Sequence, residues 1–299
     1  MFDNISKNKR ESMLIVSIFI IAITLILYYV FMALDMGIFA IILALVFSIG
    51  SAWGSYYYSD QIILKMHKAR PATHEEDLKL VNILDSLMVS SGLQYKPRLY
   101  VVEDPQPNAF ATGRDPEHAV ICVTTGLLEK MEYYELEGVI AHELSHIKNY
   151  DIRLSAIVTV MVGFVVMLSD IFSRRLFWGG MKDRDSDSKG NGILMIIGLL
   201  LLILSPIFGS LMQLAISRKR EFLADATAIE FTRNPDGLIS ALQKLDADSN
   251  ELSTANSSTA HMYIVNPFKA NANGSKKHSS LWSTHPSIED RVEALRNIQ

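Results

Sequence analysis

The sequence contains a single cysteine and has little net charge. Cys122 lies in the segment HAVICVTTG, where alternating apolar positions indicate a buried strand, and one cysteine cannot form an internal disulfide. The formal net charge is only -4 over 299 residues, and no long basic stretch carries interleaved aromatic residues. These absences argue against a fold that needs an oxidising compartment and against a nucleic-acid partner.

Long apolar runs are what the sequence has in excess. Hydrophobic residues make up 49% of the chain and its mean hydropathy is +0.20, which is high for a soluble protein. Met13 to Met32 and Met36 to Trp53 contain no charged residue, and each is long enough to cross a hydrocarbon core of about 30 Å as a helix. A cleaved signal peptide is the alternative, but the first run is too long and no small-x-small cleavage pattern follows. We therefore expect a membrane hairpin.

The charges around this hairpin predict its orientation. Its turn carries only Asp35, whereas cations stand on both flanks: Lys7, Lys9 and Arg10 before it, and Lys65, Lys68 and Arg70 after it. Because cytoplasmic loops carry the excess of lysine and arginine, both ends of the hairpin are expected in the cytoplasm. The polar part of the chain that follows should be cytosolic.

Two further apolar runs flank the centre of the chain. Leu154 to Leu168 is short for a full crossing, whereas Ile193 to Ile216 is long enough to span and contains Pro206, which membrane helices tolerate. The loop between them is cationic, which is unfavourable on the far side of a membrane. Two readings stay open: four spans with one loop that violates the charge bias, or a second hairpin that dips in without crossing.

The polar segments predict helices around a small sheet. An amphipathic helix should begin at the capping box of Thr73 and Glu76 and end at Gly92. RLYVVED and HAVICVTTG indicate short strands on either side of the turn-rich PQPNAFATGRDPE. Further helices are predicted at EYYELEGVIAHELSHIKN, SRKREFLADATAIEFT, DGLISALQKLDAD and HPSIEDRVEALRNI, with a long mobile loop at Asp246 to Ser280. We expect a mainly α fold with a small β-sheet, in a polytopic membrane protein with two to four transmembrane helices.

The segment AHELSHIKNYD predicts a metal site on one of these helices. His142 and His146 are four residues apart and therefore share one helix face, where both imidazoles can bind one zinc ion. Glu143 stands beside the first ligand, as a general base requires. Zinc lowers the pKa of a bound water from 15.7 to about 7, which suits hydrolysis of a peptide bond. The alternative is a pair of surface histidines, because an HExxH string also arises by chance.

A catalytic zinc site needs a third protein ligand from elsewhere in the chain. The best candidate is Glu221 in SRKREFLADA, which follows the apolar run that ends at Ile216. Asp225 falls one helical turn later, where it could hydrogen-bond the far nitrogen of a ligating histidine and fix its tautomer. The alternative is an ordinary charged helix in which these carboxylates pair with Arg218 or Arg220.

These motifs, in this order after a membrane hairpin, resemble the HtpX heat-shock proteases, which are bacterial integral-membrane zinc metalloproteases related to the CAAX prenyl proteases. The resemblance covers nearly the whole chain. It implies a gluzincin-type protease domain, one zinc ion held by His142, His146 and Glu221, and Glu143 as general base. QPNAFATG matches a family segment beside the active site, which implies that Asn108 contacts the substrate backbone. HPSIEDR resembles the family's closing motif, which implies that His285 and Arg291 support the tetrahedral intermediate.

The resemblance also implies the setting of the enzyme. It implies a multi-pass protein of the bacterial cytoplasmic membrane whose active site faces the cytoplasm, and whose polypeptide substrates are misfolded or damaged membrane proteins. The expected organisation is a membrane hairpin at 1–58, a first part of the protease domain at 59–153, a second hairpin at 154–216 and a second part at 217–299. Two other hypotheses are a non-catalytic membrane scaffold or transport component with incidental histidines, and a non-haem iron site with the same ligand types.

Overall fold

The computed structural model describes residues 2–33, 35–164, 217–250, 252, 259–267 and 286–298. The predicted run Ile193 to Ile216, the cationic loop before it and most of the predicted loop from Asp246 to Ser280 lie outside these ranges. The helices among the described residues are α1 (Phe2–Ala33), α2 (Phe39–Tyr57), α3 (Ser59–Met66), α4 (His74–Ser91), α5 (Thr125–Lys130), α6 (Tyr133–Lys148), α7 (described over 151–164), α8 (Arg218–Thr232), α9 (Pro235–Ala247) and α10 (Ile288–Arg296). The fold is mainly helical, as predicted.

Helices α1 and α2 form the predicted hairpin and are both long and apolar enough to cross a membrane. The turn between them includes Asp35 and Gly37, both at positive φ. On α2 the buried side chains are small and recur every four residues, which lets the two helix backbones approach closely. These residues are Ala40, Ala44, Ser48 and Ala52, and the remaining buried residue, Ser55, follows three positions later. The apolar stretches of the two helices are only 33% and 28% buried, unlike the core helices of soluble proteins.

Helix α7 packs against α1. Leu154, Ile157 and Met161 are buried in one cluster with Ile15 and Phe19 of α1. The predicted apolar run Leu154 to Leu168 is therefore helical as far as the structure describes it, through residue 164. Because only Asn149 and Tyr150 separate α6 from α7, the helix that carries the HExxH motif is directly connected to the bundle formed by α1, α2 and α7.

A four-stranded sheet lies beside this bundle, in the order β1-β2-β4-β3. Its strands are β1 (Arg70–Pro71), β2 (Arg98–Val102), β3 (Ala109–Thr112) and β4 (Val120–Thr124). β2 and β4 are parallel, and β3 is antiparallel to β4. The two predicted strands are confirmed as β2 and β4, and the turn-rich segment between them contains a further short strand, β3, that the sequence did not predict. All four residues of β3 are buried, so this short strand shows no alternation of apolar and polar residues that would reveal it.

Helix α6 lies in the core between the sheet, α8 and α9. Its predicted apolar stripe is fully buried and comprises Leu136, Val139, Ile140, Leu144 and Ile147. Gly138 allows the close approach of α9, because a Cβ atom at this position would lie 2.9 Å from the backbone of Leu238. Packing on three sides fixes the position of α6, and with it the orientation of the side chains of AHELSHIKNYD.

Candidate metal centre

His142 and His146 point their Nε2 atoms at one another on α6. The two nitrogens are 3.2 Å apart and the rings are almost perpendicular, at 89°. His142 is fully buried, and His146 borders a cleft. This is the arrangement that the spacing of four residues predicts for two imidazoles on one helix face.

Helix α8 adds Glu221 to this pair. Its Oε2 lies 3.6 Å from Nε2 of His142 and its Oε1 lies 3.6 Å from Nε2 of His146. Ligands that bind zinc tetrahedrally at about 2.0–2.1 Å stand roughly 3.3 Å from one another. The observed separations are near this value, and all three ligand atoms lie within 4.8 Å of one another. The donor set therefore fits one zinc ion, with a coordination position left for water.

The far nitrogens of both histidines are bound by carboxylates. Nδ1 of His142 is 2.9 Å from Oδ1 of Asp225, and Nδ1 of His146 is 3.0 Å from Oδ2 of Asp151. Each carboxylate accepts the Nδ1 proton, which leaves the Nε2 lone pair directed at the metal position. The sequence predicts Asp225 in this role. Asp151 was missed, although it stands only five residues after His146 and is brought back beside it by the turn at Tyr150, which has a φ of 61°.

Arg291 of α10 is buried beneath this site and holds Asp225 in place. Its Nε and Nη2 donate to the two carboxylate oxygens of Asp225 at 2.8 and 2.6 Å. Nη1 donates to the backbone oxygen of Ile264 at 2.9 Å and lies 4.0 Å from Oε2 of Glu221. The guanidinium thus contacts the carboxylate that orients His142.

The charges of the site shift the pKa values of its members. Burial lowers the pKa of His146, but the hydrogen bond to Asp151 and the charge of Glu221 outweigh it and raise the pKa to about 9. Burial likewise opposes charge on His142, whose pKa is nevertheless raised by Asp225 and Glu221. Because a metal binds only neutral imidazole, zinc has to displace protons from these nitrogens.

Glu143 points into the same cleft without joining the ligand set. Its side chain is buried, and burial raises the pKa of its carboxyl above the usual range. The lining of this cleft includes Ala111 of β3 and the segment from His261 to Ile264. A buried carboxylate of raised pKa beside a metal position is suited to accept and return a proton.

Comparison with known proteins agrees with this geometry. Residues 74–299 match the description "Peptidase family M48". The chain is 42% identical over 295 residues to a protein named "Protease HtpX homolog" from Dictyoglomus thermophilum, covering 99% of this chain and 94% of that protein. The chain belongs to the HtpX proteases of peptidase family M48.

Other relatives support the same assignment. A "Protease HtpX homolog" from Ligilactobacillus salivarius is 40% identical over 303 residues and is covered completely, as is this chain. The crystal structure of S. mikatae Ste24p superposes with a TM-score of 0.51 at 18% identity, over 99% of this chain and 67% of that one, and shares the fold. With the ligand set described above, the chain is a zinc metallopeptidase of family M48.

The resemblance also predicts roles for Asn108 and His285 in this M48 peptidase. Asn108 is buried, and its side-chain amide donates to the backbone oxygen of Val265 at 3.1 Å while its Oδ1 accepts from the N–H of Ala109 at 3.1 Å. Its contact with substrate therefore stays a prediction. His285 lies outside the described residues, and its role also stays a prediction.

The outer edge of β3 is partly covered by the same chain. The N–H of Ile264 donates to the backbone oxygen of Ala109 at 3.0 Å. Because strand residues alternate, the backbone groups of Ala111 face the same way as those of Ala109, towards the cleft that Ala111 lines. The M48 peptidase thus offers one stretch of strand edge next to its metal position.

Proposed function

We propose that this M48 peptidase is a membrane-anchored endopeptidase that cleaves misfolded or damaged membrane proteins at the cytoplasmic face of a bacterial inner membrane. The observation that carries the proposal is the position of the metal centre. His146 lies at the end of α6, and two residues after this helix the chain enters α7, which packs on the candidate membrane helix α1. A segment leaving the lipid would reach the cleft already tethered and locally concentrated.

The exposed surface of the hairpin supports insertion into lipid. Large apolar side chains of α1 and α2 are exposed, as expected of helices that face hydrocarbon. Soluble monomeric proteins rarely expose so large an apolar surface to water. The exposed side chains include Met13, Ile21, Phe39, Val46 and Phe47. With the cations that flank the hairpin, this surface supports the proposed anchor and its orientation.

The reaction follows from the residues that surround the metal position. Zinc bound here supplies a Lewis acid that polarises the peptide carbonyl and acidifies a water molecule. Glu143 accepts the proton of the attacking water and passes it to the leaving amine. Asp225 and Asp151 hold the two imidazoles in the tautomer that binds metal, and Arg291 fixes Asp225.

Substrate recognition is proposed to use the backbone rather than side chains. An extended peptide that adds to the edge of β3 would exchange hydrogen bonds with Ala111, which gives broad sequence tolerance. Asn108 supports this edge and, by the resemblance, contacts the substrate backbone. His285 is proposed to donate a hydrogen bond to the oxyanion, with Arg291 providing positive charge nearby.

The test is cleavage in proteoliposomes. The full-length zinc-loaded protein should cut a destabilised variant of a multi-span membrane protein at least several-fold faster than the well-folded parent protein. A chelator should stop cleavage, and added zinc should restore it, whereas added iron should not. Equal cleavage of the folded and destabilised substrates would refute the quality-control role, and activity that survives complete metal removal would refute the metal mechanism.

The proposed orientation has its own measurement. Cys122 is buried and is the one cysteine in the sequence, so the background for thiol labelling is low. Cysteine introduced at exposed Glu289 of α10 should react with a membrane-impermeant maleimide in inverted vesicles but not in spheroplasts. Cysteine at Ile38, in the hairpin turn, should show the opposite pattern. The reversed result at both positions would place the metal centre outside the cytoplasm.

A further inference from the structure

The polar beginning of α1 reaches the metal centre. Asn8 stands ahead of the charge-free stretch that begins at Met13, yet its side chain is buried, with only 3% of the residue exposed. Its Nδ2 donates to Oδ1 of Asp151 at 2.6 Å and to the backbone oxygen of Asn149 at 2.9 Å. The other carboxylate oxygen of Asp151, Oδ2, is the one that binds His146.

The same amide also contacts the helix that carries the third ligand. Oδ1 of Asn8 accepts from Nε of Arg220 at 3.2 Å. Arg220 directly precedes Glu221, lies 3.4 Å from Asp151, and donates to Glu11 of α1 at 2.5 Å. One side chain of α1 therefore touches both the group that orients His146 and the residue next to Glu221.

We propose that Asn8 is a positioning residue of the zinc site. It holds Asp151 in the orientation that fixes His146, and its contact with Arg220 keeps the amide in place. An amide suits this place because it offers a donor to the carboxylate and an acceptor to the guanidinium. Aspartate would set a negative oxygen against Asp151, and an apolar residue would leave buried polar groups without this partner.

The packing of α1 explains how the amide of Asn8 is held beside Asp151. Asn8, Ser12, Ile15 and Phe19 are all buried and follow helical spacing along one face of α1. Ile15 and Phe19 pack against α7, and Asn8 occupies the end of the same face, one turn beyond Ser12. The register of α1 on α7 thus sets the position of Asn8 along the helix relative to Asp151. The candidate membrane helix α1 therefore contributes a residue to the metal centre.

The inference predicts a change in zinc affinity that can be measured without any substrate. Asn8→Leu keeps the branching of the side chain at Cγ and removes the amide. In the full-length protein in detergent micelles, the zinc dissociation constant from chelator competition should rise about tenfold, the lower end of the range for outer partners of metal ligands. Ser12→Ala, one turn further along α1, removes a hydroxyl that bonds only the backbone oxygen of Asn8 among the described contacts, and should stay within about twofold of wild type.

A double-mutant cycle with Asp151→Asn separates positioning from general loss of structure. Asp151→Asn alone should weaken zinc binding by about 10- to 100-fold. If Asn8 acts through Asp151, adding Asn8→Leu to this variant should weaken binding by less than about twofold more. A tenfold loss from Asn8→Leu in both backgrounds, or no loss in the wild-type background, would overturn the proposal.

Thermal unfolding of the metal-free proteins completes the comparison. A role in packing alone would lower the unfolding temperature of Asn8→Leu equally in both backgrounds and would produce no coupling in zinc affinity. The inference rests on the metal site on which the proposed function also depends, and the two fail differently. If the wild-type protein binds no zinc, both the metal site and the proposed function are refuted. If the wild type binds one zinc ion and Asn8→Leu binds it with the same affinity, only the role of Asn8 is refuted.

Discussion

A Glu143→Gln variant should retain one zinc ion and lose peptidase activity by about 10³-fold in kcat/KM, within the range of general acid–base catalysis. Glutamine has the shape of glutamate but accepts no proton at neutral pH. Glu143 stands outside the set formed by His142, His146 and Glu221, so its charge is not needed to keep the metal. The measurement is zinc content by elemental analysis together with cleavage of an unfolded substrate.

Glu137→Gln is the matched control for this variant. Glu137 lies on the same helix, is only partly buried, and does not border the cleft. It should leave both zinc content and kcat/KM within about twofold of wild type. Cleavage by Glu143→Gln at the wild-type rate would refute the assignment of Glu143 as the general base. Loss of zinc from this variant would show that Glu143 is a metal ligand.

A Glu221→Gln variant should fail at an earlier step, because it loses the metal. The carboxylate of Glu221 is the only anionic group among the three ligands and faces two imidazoles at 3.6 Å each. Its replacement by a neutral amide should weaken zinc binding by more than about 100-fold, beyond the effect of changing an outer partner. Activity measured at limiting zinc should fall with occupancy.

The control for this change is Glu230→Gln, which lies on the same helix and is exposed. It should bind zinc as wild type does. Comparison of the two active-site variants separates the roles of their carboxylates, since Glu143→Gln keeps the metal and Glu221→Gln does not. Full zinc occupancy of Glu221→Gln at wild-type affinity would show that another group completes the site.

Local patterns predicted most of the elements that carry the site. The capping box at Thr73 and the left-handed Gly92 bound α4 as expected, and the stripe from Leu136 to Ile147 is buried on α6. Spacing of four residues predicted that His142 and His146 converge and that Asp225 shares a face with Glu221. These features depend on helix periodicity, which can be recognised from residues that are close together in the sequence.

Contacts between segments that are far apart in the sequence could not be predicted from local patterns. Asn8 meets Asp151 only because α1 packs on α7 in one register, and no local pattern encodes that register. Arg291 was singled out from a motif, but its pairing with Asp225 depends on how α10 docks against α8. β3 was missed because burial on both faces removes the alternation that marks an exposed strand.

The order of the ligands along the chain has a consequence for biosynthesis. A ribosome synthesises His142 and His146 well before Glu221 and Asp225, and Arg291 follows later still. Two imidazoles without the carboxylate bind metal weakly, so an unfinished polypeptide lacks the means to cut itself or its neighbours. The metal site is therefore complete only after the downstream helices have been made and docked.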